Sequence, residues 1–271
     1  EKEYRALAGK INELYWDEED GFYYDVDIAS KKPCRVKTIA SFWPLLAGVA
    51  TPEQAARMVE HVKKAGEFGG DFPWPTLARS DRDFDAETGN YWRGAVWLPT
   101  AYMATKALER YGYTDLADEL AEKVLMQQLK TYHEVEPHTI WECYSPSANR
   151  PSIEHGRRVR PDFCGWSALG PVSLFIENVL GFHEVSAARR EVRWRLRPEK
   201  GRHGIRRLAF GPVTTDIVFD GKKSIAVRST VPYTLYVNGN AHAVPAGESV
   251  ISLPSSPEPG RQGTGGFYPE K

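Results

Sequence analysis

Residues 38–50, TIASFWPLLAGVA, carry no charged side chain and are apolar on nearly every side. A helix of this kind has no face to offer water, so it must be enclosed all round. The segment that follows is different. Thr51-Pro52-Glu53 is a helix-start signal, with Thr as cap, Pro at the first helical position and Glu at the positive end. Ala55, Met58, Val59 and Val62 then mark a single apolar face up to about Lys64. An enclosed helix is thus paired with a surface helix.

The same order recurs. After a long connection over 66–93, residues 94–111 are predicted as an apolar helix stopped by Gly112, and Thr114 caps an amphipathic helix running to about Tyr132. A second long connection spans 133–163, and GWSALGPVSLFIENVLG (165–181) reads as a mostly apolar helix kinked at Pro171. Ahead of all these, Tyr4, Leu7, Ile11 and Leu14 predict an amphipathic helix over 4–15, followed by a turn and an aromatic extended stretch, DEEDGFYYDVD. Inner and outer helices that alternate, with long loops between them, are expected of an α/α toroid. Six helices amount to about half of a closed ring, since inner helices need cover on every side.

From about residue 189 the pattern changes. WRLRP, RRLAFG, TTDIVFDG, KSIAVRSTV, YTLYVNGN and HAVPAGESVISL are short, alternating and β-branched, with turn residues between them. They predict an antiparallel β-sandwich over 189–253, and Asn238-Gly239 within VNGN predicts a tight hairpin. The tail 254–271 is rich in Pro, Gly and Ser and is expected to be disordered.

Charge narrows the function. With 35 basic and 36 acidic side chains the net charge is −1, so no excess of cations exists to meet the phosphates of nucleic acid. No run of about 18 apolar residues is present to span a membrane. The cysteines Cys34, Cys143 and Cys164 are far apart, which fits neither a metal site nor a disulfide framework and leans toward a cytoplasmic setting. His133, His138 and His155 lack metal-ligand spacing, and no cofactor motif is found.

Four tracts carry a resemblance: LYWDEEDGFYYDVD (14–27), FGGDFPWPTLARSDRDFD (68–85), NYWRGAVWLPTAYMATKALERYGY (90–113), and IWECYSPSANRP with DFCGWSALGP (140–151 and 162–171). Together with the helix order, they make residues 1–188 similar to the six-hairpin glycosidases, nearest to glycoside hydrolase family 63 and with the trehalases as cousins. The resemblance implies an (α/α)6 toroid, hydrolysis of an α-glucoside or related α-linked sugar with inversion, and a carbohydrate as partner. It implies Glu142 as general base. It places the general acid, an Asp, upstream of the tract that matches residue 1, so an N-terminal half of the same protein is an expected partner.

Glu142 suits the base role on physical grounds too, because flanking Trp141 and Tyr144 are able to exclude water and face a sugar. Trp92 and Arg93 offer a stacking plane and a fork of donors to hydroxyls. Phe72, Trp74 and Thr76 are candidate floor residues in a loop stiffened by two prolines, and Trp166 opens an inner helix toward a pocket. Trp97 is as much a core residue as a site residue. Asp71 is the in-chain stand-in for an acid. Asp25 reads as a turn residue and Asp162 as a helix cap. Two other readings remain: a non-catalytic carbohydrate-binding or structural fragment, and a toroid lyase or epimerase, against which the Trp-Glu-x-Tyr-x-Pro loop argues.

Overall fold

A computed structural model describes residues 1–253 of the chain; the tail 254–271 lies outside the described residues. By its contacts the chain divides into two units, Glu1–Leu174 and the part from Phe175 onward.

The first unit is helical. α1 (Lys2–Tyr15) has no buried residue. Polar ties hold it: Tyr4 Oη donates to Gly48 O (2.8 Å), and Asn12 Nδ2 to Val49 O (2.9 Å). Much of its apolar stripe is exposed, with Leu7 at 57%, while Ile11 packs against the core. β1 (Trp16–Asp17) and β2 (Phe22–Tyr23) form a short hairpin over Asp20-Gly21. The enclosed segment 38–50 is shorter as a helix than its apolarity predicts. It is a 3-10 turn, Ile39–Phe42, leading into α2 (Trp43–Leu46), and it ends at Gly48, whose φ of 72° suits a residue without Cβ. Phe42 and Leu45 are buried while Trp43 faces outward.

α3 (Pro52–Lys63) begins as the sequence dictates. Thr51 and Gln54 form a reciprocal capping box, with Pro52 at the first position. Buried His61 on this helix bonds Glu67 Oε2 (2.5 Å) through Nδ1 and Asp20 O (3.0 Å) through Nε2, fastening the hairpin turn and the following loop to α3. α4 (Leu98–Arg110) starts later than 94, and α5 (Thr114–Glu134) packs on it. Thr114 is the first helical residue of α5; the cap position is Tyr113.

Residues 95–97 are not helical because their backbone is used sideways. Single-residue antiparallel bridges join Pro75 to Val96, Val96 to Tyr144, and Tyr144 to Pro151. Val96 and Tyr144 exchange two 2.9 Å N–H···O bonds. The two long loops are thus stitched into one row, which satisfies backbone groups that a buried loop would otherwise leave unpaired. β3 (Ile153–Glu154) and β4 (Arg157–Arg158) form a hairpin beyond this row. α6 (Cys164–Ser167) follows, and Leu169–Val179 winds as a π-helix rather than a kinked α-helix. Pro171 has no N–H to give, so the regular ladder is already broken there.

The second unit holds β5 (Phe182–Ser186), β6 (Glu191–Trp194), β7 (His203–Phe210), β8 (Val213–Phe219), β9 (Ser224–Ser229), β10 (Tyr233–Val237), β11 (Asn240–Val244) and β12 (Gly247–Ser252). They make two four-stranded sheets, ordered β11-β10-β6-β5 and β12-β9-β8-β7. Trp194, Leu235 and Val237 of one sheet share a core with Ile217, Phe219 and Ile225 of the other. Two features differ from the sequence reading. The β6–β10 pair is parallel, whereas an all-antiparallel sandwich is predicted. Strand β5 also precedes residue 189, because FHEVS is too short and polar to stand out as a strand. The β10–β11 hairpin turns at Asn238 (φ 49°) and Gly239 (φ 84°), as the Asn-Gly pair predicts.

Candidate active site around Glu142

Glu142 sits on the segment that enters the bridged row, one residue before Cys143 and two before Tyr144. Only 6% of its surface is exposed. Its N–H donates to Arg160 O (3.0 Å), and its carbonyl accepts from Ser167 Oγ (2.9 Å) on α6. The flanking residues fix the loop from within. Tyr144 Oη receives the Trp141 N–H (3.1 Å) and Gln128 Nε2 (3.2 Å), and Gln128 also donates to Ser167 O (3.2 Å). α5, the loop and α6 are thereby tied together behind the carboxylate.

On the carboxylate itself, Tyr91 Oη donates to Oε1 at 3.1 Å. Burial pushes the Tyr91 phenol up to about 12, helped by this hydrogen bond and by the charges of Glu142 and Glu154. Tyr91 has a φ of 63°, and Trp97 Nε1 donates to its carbonyl (3.2 Å), so an unfavourable backbone conformation is held in place. The loop before it is braced by Asp85, whose Oδ1 accepts from Glu87 N–H (3.1 Å) and Thr88 N–H (2.8 Å); these bonds hold its carboxyl below the usual range.

An aromatic wall extends from Tyr91. Its ring meets Trp97 edge-on (4.6 Å), and buried Trp97 stacks flat on Trp92 (4.4 Å, 1°) and meets Trp166 edge-on (5.5 Å, 77°). Trp92 is 52% exposed and Trp166 44%. Two indoles therefore keep open surface while a third, fully packed, fixes their positions. Such surfaces suit the C–H faces of a sugar ring.

The structure brings Glu142, Trp92 and Trp166 into this group and puts the other predicted residues elsewhere. Trp141 and Tyr144 are buried and shape the loop, leaving no face for a ligand. Trp74 has no exposed surface and packs on Phe42 (5.4 Å). Phe72 and Asp71 line a separate shallow pocket of about 340 Å³ with Glu122, Lys130 and Asn149. Arg93 turns to Asp83, donating to its carbonyl (3.0 Å). Thr76 is buried and donates to Trp92 O (3.1 Å). Asp25 borders a groove of about 470 Å³ along α1. Asp162 accepts from Thr139 Oγ1 (2.6 Å) and caps no helix. Among the described residues no hydrogen bond or ring contact joins His133, His138 or His155 to this group, and His138 Nδ1 bonds Tyr132 O. Among the described residues no group of three His, Cys, Asp or Glu is placed to hold a metal ion.

Sequence reasoning missed two residues. Tyr91 lies inside the NYWRG tract but was not separated from its neighbours, and its partner is 51 positions away. Glu154 is half-buried on β3, near enough for its charge to bear on Tyr91. The His155-Gly156 turn between alternating residues was the available signal for that hairpin.

Residues 1–163 match the family model described as the mannosylglycerate hydrolase MGH1-like glycoside hydrolase domain. The chain is 34% identical over 124 residues to a cytosolic neutral trehalase of Kluyveromyces lactis, covering 45% of this chain and 16% of that protein. It is 33% identical over 115 residues to a mannosylglycerate hydrolase of Thermus thermophilus, covering 42% and 27%. A crystal structure of the GH63 mannosylglycerate hydrolase from Thermus thermophilus in complex with glucose matches with a TM-score of 0.48 and 27% identity, over 60% of this chain and 37% of that one. The chain spans less than half the length of the curated relatives it matches.

Proposed function

Because the chain belongs to the mannosylglycerate hydrolase MGH1-like glycoside hydrolase family, we propose that it carries the water-activating side of an inverting glycosidase site, with Glu142 as general base. The observation that carries this reading is a buried carboxylate, fixed by Tyr91 and bordered by two open indoles.

In inverting hydrolysis a carboxylate takes a proton from water as that water attacks the anomeric carbon, and a carboxylic acid on the other side protonates the departing oxygen. The two groups stand about 6.5–9.5 Å apart to admit the water. Glu142 meets the demands on the first. Its backbone is bonded on both sides, so the carboxylate holds its aim, and the packed ring of Tyr91 limits competing solvent. Tyr91 is a positioning residue that orients the base. Trp92 and Trp166 receive the sugar. The acid partner, following the family resemblance, is an Asp on a segment preceding the tract that matches residue 1, and α1–α6 are part of an (α/α)6 toroid completed by that segment. The substrate is an α-glucoside or related α-linked sugar; relatives named as a trehalase and a mannosylglycerate hydrolase support a glycoside.

A second reading, sugar binding without turnover, rests on the two open indoles, which can receive a sugar face whether or not a bond is cut. Kinetics on aryl α-glucosides and α-linked disaccharides separate the two. Turnover that Glu142→Gln abolishes supports the base; full turnover in that variant removes it. Sugar binding with no turnover in the unsubstituted chain supports the second reading.

A further inference from the structure

His61 on α3 is buried, and each of its ring nitrogens faces an acceptor. Nδ1 meets Glu67 Oε2 (2.5 Å) and Nε2 meets Asp20 O (3.0 Å). A main-chain carbonyl never donates, so the hydrogen between Nε2 and Asp20 belongs to His61. A neutral imidazole carries one N–H and one lone pair, and an ionised carboxylate has no hydrogen to offer. The two bonds together therefore need one proton more than a neutral imidazole and a carboxylate supply.

The surroundings put that proton on the imidazole. Lys37 Nζ stands 3.4 Å and Lys64 Nζ 3.7 Å from Glu67 Oε1. Burial raises the Glu67 carboxyl, but the hydrogen bond and charge of His61, with the two ammoniums, outweigh it and hold the group below its ordinary value. The other charged groups nearby have partners of their own. Glu60, next to His61 on α3, takes Lys63 (2.7 Å). The Asp20 carboxylate accepts from Tyr24 Oη and Arg35 Nη1, each at 2.8 Å, and Arg35 also takes Asp17 (2.8 Å) and Glu19 (3.2 Å). The Phe22 ring packs edge-on against the imidazole (5.0 Å).

We propose that His61 and Glu67 form a proton-operated clamp: His61 is an imidazolium at neutral pH, and loss of its proton at alkaline pH releases the β1–β2 turn from α3. A neutral His61 keeps its single N–H toward Glu67, because a hydrogen bond to a charged acceptor is the stronger one. Nε2 then sets a lone pair against the Asp20 carbonyl, and the two acceptors separate. Arg57 on α3 still donates to Glu18 O (2.6 Å) and Glu19 O (3.2 Å), so the release is local and the chain stays folded. The turn leads into Tyr23 and Tyr24, which border the groove along α1. The proton thus sets how firmly that wall is held.

Nitrogen NMR of the isotope-labelled chain reads the ring directly. At about pH 7.5, where an unperturbed imidazole is mostly neutral, His61 is expected to carry hydrogen on both nitrogens. Hydrogen exchange reads the consequence. The Gly21 N–H donates to Asp17 O (2.9 Å) within the turn. Its protection, corrected for the intrinsic pH dependence of exchange, is expected to fall about tenfold or more between about pH 6 and about pH 9. Glu67→Gln separates the proton from the contacts. A Gln amide donates to Nδ1 while Nε2–H still serves Asp20 O, so both bonds form with a neutral imidazole. In that variant the corrected protection of Gly21 is expected to change less than about twofold over the same range. A neutral His61 at about pH 7.5 in the parent, protection that does not fall in the parent, or an equal fall in parent and variant overturns the proposal. Should Glu67→Gln not fold, the nitrogen spectrum and the exchange of the parent still decide it.

Discussion

Tyr91 Oη donates to Glu142 Oε1 at 3.1 Å across 51 positions of sequence. It joins the tip of one long loop to the carboxylate on the other. Removing the hydroxyl with Tyr91→Phe keeps the ring against Trp97 and deletes only the bond. A hydrogen bond to a charged group contributes about 1.5–3 kcal/mol, so kcat/KM is expected to fall roughly 10- to 100-fold. Steady-state kinetics on the best α-glycoside check this, and a variant within twofold of the parent rejects a positioning role for Tyr91.

The same pair contributes to the loss of stability at alkaline pH. The Tyr91 phenol is raised to about 12 from an ordinary value of 10. Between those values the unfolded chain has lost the proton and the folded one retains it, so stability falls as pH rises through that window and is fully present below 10. Difference absorbance of phenolate between the parent and Tyr91→Phe is expected to show a late-titrating tyrosine. Urea unfolding at a series of alkaline pH values gives the matching decline, smaller in the variant.

Gly170 in the π-helix has no room for a side chain. A Cβ there meets the Gln128 amide oxygen and Leu98 Cδ1 (3.0 Å). In an open helix Gly→Ala is favourable by about 0.5–1 kcal/mol. Here the overpacking is expected to reverse the sign, costing about 1–3 kcal/mol in urea unfolding. Gln128 holds Tyr144 and Ser167, so turnover drops together with stability. A stabilised Gly170→Ala contradicts the packing.

In the second unit, Gly239 has a φ of 84° at the β10–β11 turn. Gly239→Ala places a Cβ in the left-handed region, costing about 1–2 kcal/mol. The loss is read as a lower melting temperature, and no change in melting rules out this turn geometry.

Some of this was legible in sequence for local reasons. Thr51, Pro52 and Gln54 define the start of α3 within four residues, and Asn238-Gly239 specifies its turn alone. Residues 94–97 misled, because a short apolar run has no period of its own and the bridges to Pro75 and Tyr144 decide its shape. Glu142, Trp92 and Trp166, which the structure gathers around Tyr91 and Trp97, lie in motifs that the sequence singles out. Trp74 and Trp92 look alike in sequence, each in a Pro- or Gly-rich loop, yet one packs on Phe42 and the other keeps half its surface open. Tyr91 needed a partner from a distant loop, which no local pattern encodes.

The row of single-residue bridges at Pro75, Val96, Tyr144 and Pro151 makes the two loops a single cassette. Insertions at the outlying tips, near 80–88 or 146–150, leave the cassette whole. Grafting one loop alone from a relative strips Val96 or Tyr144 of its main-chain mate, so Glu142 and its indole neighbours are inherited, or lost, together.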